Sequence, residues 1–214
     1  MAGCRPLTPH EERQLLRVVR QLPPRDRTLI TLQWLSGFRI AEVLSLRIGS
    51  VMREGRPVSK IGVAPRNLKG RYGRTRWIPV LPELERALEV YIEDLRRGRD
   101  LANDQPLFIS RQRNRDGSPR ALTTESARLI VHDALRRAGI ENDGRLGTHV
   151  LRKTWARNVY RSSGNDIALL RVALNHSDVR VTQRYLEVDA DALDRAMRAV
   201  DFTRVPRGLR ARTV

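Results

Sequence analysis

A mainly α-helical domain with one small antiparallel, three-stranded sheet is the fold this sequence predicts, and three observations predict it. Prolines, glycines and capping residues divide most of the chain into stretches whose apolar residues recur at helical spacing. Between Ile48 and Val80 that rhythm breaks into short apolar pieces separated by turn residues. No internal repeat, heptad run or low-complexity linker interrupts the 214 residues, so 1–201 read as a single domain and 202–214 as a basic tail.

The first helix starts at Thr8-Pro9-His10-Glu11, where Thr8 can cap, Pro9 suits the first turn and Glu11 completes a capping box. Leu15, Val18, Val19 and Leu22 give it an apolar stripe, and Pro23-Pro24 stop it. A second helix runs from about Arg25 to Ser36, ends at Gly37, and is followed by a short third one over Ile40 to Leu46. Ile48 to Met52, Val58 to Val63 and Trp77 to Val80 are the predicted strands, punctuated by Gly55, Pro57, Pro65, Gly70 and Gly73. The last hairpin then carries the basic cluster Lys69 to Arg76 at its tip. Pro82 with Glu83 and Glu85 opens another helix, the acids facing the positive end of its dipole. Leu101 to Arg120 reads as loop with one apolar piece, Leu107 to Ile109. Helices follow from Thr123 or Thr124 to about Ala138, from Thr148 through Tyr160, and over about Asp166 to Leu174, Val179 to Leu186 and Ala190 to Val200.

Composition narrows the function. Forty-one Lys+Arg against 24 Asp+Glu leave a formal charge of +17. The excess is clustered: Arg66, Lys69, Arg71, Arg74 and Arg76 share one segment without an acid. Arg111, Arg113, Arg115 and Arg120 share another, and Arg204, Arg207, Arg210 and Arg212 mark the tail. These runs are either solvated surface or phosphate contacts, and phosphate contacts make affinity fall steeply with salt. The stretch Thr28 to Phe38 is the longest uncharged one in the first half, far too short to span a bilayer. No signal segment opens the chain, since Glu11 and Glu12 come early, and the single cysteine, Cys4, excludes a disulfide framework and a multi-thiol metal site. A cytoplasmic protein with a polyanionic partner is expected, without a membrane, and nucleic acid is the commonest such partner.

Four segments stand out once phosphate is suspected. In Ser36-Gly37-Phe38-Arg39-Ile40-Ala41-Glu42, Arg39 follows a glycine break and Glu42 stands one turn on to orient it; an ordinary i,i+3 surface pair is the plainer account. In Gly147-Thr148-His149-Val150-Leu151-Arg152-Lys153, His149 and Arg152 share a face in the first turn of a helix, where free N–H groups favour anions. An HxxR motif alone is common. Ala173-Leu174-Asn175-His176-Ser177 is followed, nine residues beyond His176, by Tyr185 on a polar segment. That tyrosine is either functional or an amphipathic cover for the domain edge. Lys69 is one of only three lysines and, unlike arginine, can give up a proton.

In this order, GxRxxE, a hairpin lysine, HxxR, Leu-x-His-Ser and a tyrosine nine residues on, the segments resemble the catalytic domain of the tyrosine recombinase (phage integrase) family. The likeness runs from Leu7-Thr8 to about Val200. It implies that family's catalytic-domain fold and a site-specific DNA recombinase that cuts and rejoins strands through a 3′-phosphotyrosyl intermediate. By the resemblance, Arg39 and Arg152 clamp the scissile phosphate and Lys69 protonates the departing 5′ oxygen. His149 assists proton transfer at the attacking tyrosine, His176 hydrogen-bonds the phosphate, Tyr185 is the nucleophile and Glu42 supports the pocket. Arg66, Arg71, Arg74, Arg76 and Lys153 are the expected DNA contacts. No metal and no cofactor are expected, because two Arg, one Lys and two His supply the positive charge and no ligand spacing is present.

Two substitutions depart mildly from the family pattern. Lys153 stands where many relatives have histidine, and Asn175 replaces a glycine, as the best substitute for a left-handed turn. Relatives also carry a core-binding domain ahead of the catalytic part. Here Met1 lies just ahead of Thr8, as in a catalytic fragment or a naturally minimal enzyme resembling the short fimbrial-switch inverting recombinases. Double-stranded DNA is the expected partner, with self-association as dimer or tetramer, and a partner recombinase or accessory DNA-bending protein to complete the clamp. The alternatives are a DNA-binding accessory protein that keeps the fold with little catalysis, and relaxation of DNA in the manner of type IB topoisomerases.

Overall fold

The structure is a computed structural model that describes residues 4–64, 75–97, 100–141, 146–176 and 179–183. It is mostly helical. Helix α1 (Pro9–Val19) begins as the sequence predicts: Thr8 Oγ1 accepts from the Glu11 amide and the Glu11 carboxylate accepts from the Thr8 amide. Helix α2 (Pro24–Ser36) is the structural centre. Thr28, Leu29, Ile30, Leu32, Gln33, Trp34 and Ser36 are all buried, so apolar contacts cover it on nearly every side, as befits a helix inside a core. It packs on the long helix α5 (Pro82–Arg96) and on α7 (His149–Ser162).

Two cores meet at α2. One gathers Leu29, Leu32, Phe38 and Val43 with the strands and with Leu84, Leu88 and Ile92 of α5. The other joins Leu15 and Val19 of α1 to Ile30 and Trp34, to α6 (Thr124–Arg137) and to Val150 and Leu151 of α7. Polar seams tie them: Thr28 Oγ1 donates to Ala87 O at 2.8 Å, and Thr154 Oγ1 of α7 accepts from the Leu7 amide at 2.9 Å. Arg157 of α7 also holds Leu7 O and the Glu12 carboxylate, which fastens the start of the chain to the helix carrying His149 and Arg152.

The strands differ from the expected single sheet. Three separate two-stranded antiparallel pairs are present among the described residues: β1 (Met52–Arg53) with β2 (Arg56–Pro57), β3 (Lys60–Val63) with β4 (Arg76–Pro79), and β5 (Ile109–Arg113) with β6 (Pro119–Ala121). The predicted first strand is instead a one-turn helix, α4 (Ile48–Val51), whose entry is fixed by Ser50 Oγ accepting from the Arg47 amide. A short apolar run fits either state, and here a helical turn buries Ile48 and Val51. The predicted loop Leu101 to Arg120 contributes β5 and most of β6, a hairpin closed at Gly117. In β3–β4 the register sets Val63 opposite Arg76 and Ile61 opposite Ile78.

The end of α2 fixes the entry to α3 (Ile40–Leu44). Gly37 caps α2 in the left-handed region at φ +59°, and its position admits no side chain: an added Cβ would lie 2.2 Å from the Trp155 ring of α7. Both conditions select glycine. Helices α8 (Ile167–Leu174) and α9 (Val179–Gln183) pack on each other beyond α7. Among the described residues no helix is long and apolar enough to cross a membrane. Gly37→Ala combines the left-handed penalty with overpacking, so it should lower the unfolding free energy by about 3 kcal/mol in urea titration.

Candidate active site

Three chain segments far apart in sequence meet around the Glu42 carboxylate. Glu42 lies in the first turn of α3 and is 1% exposed. Its Oε2 accepts from the Arg39 amide at 2.8 Å and its Oε1 from Arg39 Nη1 at 2.7 Å, so one carboxylate both caps the helix and holds the guanidinium. Arg76 Nη1 of β4 stands 3.7 Å from Oε2, and Arg152 Nη1 of α7 stands 4.0 Å from it. Three guanidiniums thus face a single carboxylate, leaving two positive charges in excess in a partly dry site. That arrangement has the electrostatics of an anion receptor.

Arg152 is fully buried, and its partners explain why that is tolerated. Nη1 donates to Gly37 O at 2.5 Å and Nη2 to Leu174 O at 3.2 Å. Those carbonyls close α2 and α8, where helix dipoles are negative and carbonyls lack helical partners. Arg152 therefore ties the C-terminal ends of two helices together. The end of α8 turns back through Asn175 at φ +55°, the left-handed conformation for which the sequence uses asparagine. That turn delivers His176, whose Nε2 is 3.2 Å from Arg152 Nη2 and whose Nδ1 is 3.1 Å from Thr182 Oγ1 in α9.

Arg39, Glu42, Arg152 and His176 are thus gathered into one cluster. Arg39 remains 23% exposed in its side chain, the accessible cation of the group. His149 is the first residue of α7, exposed and one turn ahead of Arg152, where Gln33 Nε2 of α2 steadies the helix start by donating to Thr148 O at 2.9 Å. Lys153 follows Arg152 and is half-buried. Lys69, Arg66, Arg71, Arg74 and Tyr185, like the tail and the predicted helix Ala190 to Val200, lie outside the described residues.

Arg76 corrects the expectation that it contacts DNA with its cluster. It is 6% exposed and points inward: Nη2 donates to Ser36 O at 2.6 Å, and the guanidinium stacks 4.7 Å from the Phe38 ring centroid and 5.3 Å from that of Trp155. The signal was strand parity. Ile78 must face the core, so Arg76, two residues earlier, faces it too, while Trp77 between them is 62% exposed. Thr182, whose hydroxyl meets His176 Nδ1, joins the site without any motif to mark it in the sequence. Among the described residues no three His, Cys, Asp or Glu side chains gather as a metal site.

Burial first, then the charges of Arg152, Arg39 and Arg76, push the His176 imidazole down to a pKa of about 4. Its unfolded counterpart takes up a proton near 6.5. Between those values the unfolded chain binds more protons, so stability is full above about pH 6.5 and is lost as pH falls toward about 4. Urea unfolding measured across that window should show this decline, and His176→Gln should flatten its share of it.

Residues 5–191 match the Phage integrase family. Over 169 residues the chain is 27% identical to tyrosine recombinase XerD of Corynebacterium glutamicum, covering 79% of this chain and 50% of that protein. The crystal structure of XerA recombinase superposes with a TM-score of 0.72 at 26% identity, over 94% of this chain and 66% of that one. The structure of XerH site-specific recombinase bound to palindromic difH substrate, a post-cleavage complex, has the same fold at a TM-score of 0.71 and 24% identity, over 91% and 52% of the two chains. The chain spans about half the length of the XerD relatives it matches.

Proposed function

The chain belongs to the phage integrase family, the tyrosine recombinases, and from that membership we propose that it cleaves and rejoins duplex DNA at specific sites. The observation that carries the proposal is the surplus of positive charge around Glu42, placed where Arg39 is open to solvent. A phosphodiester accumulates negative charge on its non-bridging oxygens in the transition state, and guanidiniums already in place stabilise that charge without reorganising. Membership of the integrase family, together with the formal charge of +17, supports DNA as the substrate class.

The chemistry follows the roles implied by the family. Tyr185 Oη attacks the scissile phosphorus, the bond from phosphorus to the 5′ oxygen breaks, and Lys69 gives that oxygen a proton. A 3′-phosphotyrosyl bond and a free 5′ hydroxyl result. A phenol with pKa near 10 is ionised in only about one molecule in a thousand at neutral pH, so a base is needed, and His149 on the exposed start of α7 is the proposed one. Arg39 and Arg152 hold the phosphate oxygens, with His176 as a further donor. Attack by another strand's 5′ hydroxyl reverses the step and conserves the bond energy, so no nucleotide cofactor is needed.

Self-association as a dimer or tetramer on DNA, with a partner recombinase or DNA-bending protein, would bring two sites together in the bacterial cytoplasm. The layout of the sites, rather than the cleaving residues, decides between integration, excision, inversion and resolution; a short form resembling the fimbrial-switch inverting recombinases is the finer reading. The test is a nicked, phosphate-labelled duplex. The chain should form a detergent-resistant covalent complex that is absent in Tyr185→Phe. Arg39→Ala should bind DNA yet cleave about 10² to 10³ times more slowly. A covalent complex that persists in Tyr185→Phe contradicts the nucleophile assignment, and normal cleavage by Arg39→Ala contradicts the clamp. Retention of DNA without covalent capture by the unaltered chain would favour an accessory binding role, and relaxation of supercoils by a monomer would favour topoisomerase-like action.

A further inference from the structure

Thr182 is fully buried although it belongs to a polar stretch of α9, Thr182-Gln183, and its hydroxyl faces the imidazole of the phosphate site. The two ring nitrogens of His176 have different neighbours. A guanidinium only donates hydrogen bonds, so Arg152 Nη2, at 3.2 Å, requires a lone pair on Nε2. A neutral ring then carries its proton on Nδ1 and donates it to Thr182 Oγ1 at 3.1 Å. The ring is neutral near pH 7, since its burial and the charges of Arg152, Arg39 and Arg76 around it disfavour a second proton. A phosphate oxygen makes the opposite demand. It only accepts, so Nε2 must carry a proton to meet it, and Nδ1 of the neutral ring is left with a lone pair that needs a donor.

A hydroxyl is the one small side-chain group that serves both states, because it accepts or donates by rotating about its C–O bond. We propose that Thr182 is a positioning residue whose hydroxyl holds His176 in both tautomers, accepting from Nδ1 when Arg152 occupies Nε2 and donating to Nδ1 when a phosphate does. The inference rests on the proposed role of this site in phosphate binding. It adds a link between that site and the nucleophile's segment, because Thr182 stands three residues before Tyr185 in sequence. A threonine kept only for its shape predicts something different, for valine has nearly the same outline.

The experiment uses the whole chain with Thr182→Val and Thr182→Ser. Nitrogen-15 NMR of the imidazoles without DNA, assigned through His176→Gln, should show a neutral His176 protonated and hydrogen-bonded at Nδ1 in the unaltered chain and in Thr182→Ser. Thr182→Val should lose that hydrogen-bonded signal. Single-turnover cleavage of the nicked duplex should fall about tenfold in Thr182→Val, with DNA affinity unchanged, and return to within about threefold in Thr182→Ser. A resting proton on Nε2, equal cleavage by Thr182→Val and the unaltered chain, or equal losses in the valine and serine variants would each overturn the proposal. Should the unaltered chain form no covalent complex, the recombinase reading fails, and the NMR comparison still decides the role of Thr182.

Discussion

One buried carboxylate sets the geometry of this molecule's cationic site. Without Glu42, the guanidiniums of Arg39, Arg76 and Arg152 would repel one another across a few ångströms in a medium that screens charge poorly. With it, the three are held at 2.7, 3.7 and 4.0 Å from a common group, and the cluster remains positive enough to want an anion. Neutralising the site fully would have left nothing for a phosphate to replace. Leaving it without an acid would place three guanidiniums in a partly dry site with no counter-charge to hold them in register.

The rest of the fold places the backbone where those charges need partners. Arg76 and Arg152 lie on carbonyls that end α2, and Arg152 also reaches the carbonyl that ends α8. Helix ends supply partial negative charge without adding titratable groups, so the guanidiniums gain hydrogen bonds while their net charge remains available. The turns that present these carbonyls depend on residues able to take a left-handed conformation, Gly37 after α2 and Asn175 after α8. At Gly37 the requirement is double, since Trp155 fills the space a side chain would need and its ring in turn covers Arg76. Packing and charge placement are one constraint here.

Much of this was legible in the sequence because the signals are local. The Thr8–Glu11 capping box, the proline at the start of α5 and the glycine after α2 each act within a few residues, and each stands where the spacing predicts. Arg39, Glu42, Arg152 and His176 were found through their short motifs, and the structure brings these four together. What escaped is what depends on distant contacts. Ile48 to Val51 is too short for periodicity to separate strand from helix, and burial against the neighbouring core decides it. Arg76 was grouped with a charge cluster, although the alternation around Ile78 shows that it turns inward. Thr182 has meaning only opposite His176, a pairing set by how α8 and α9 pack.

Preorganisation and simple charge attraction make opposite forecasts for Glu42→Gln, and the variant separates them. The amide keeps the size of the side chain and removes its charge, so the surface presented to DNA becomes more positive. If the carboxylate's task is to hold the guanidiniums in register, the folded variant should bind duplex at least as tightly as the unaltered chain while single-turnover cleavage falls about a hundredfold. Cleavage at or above the unaltered rate, in protein that is folded at the assay temperature, would contradict the account.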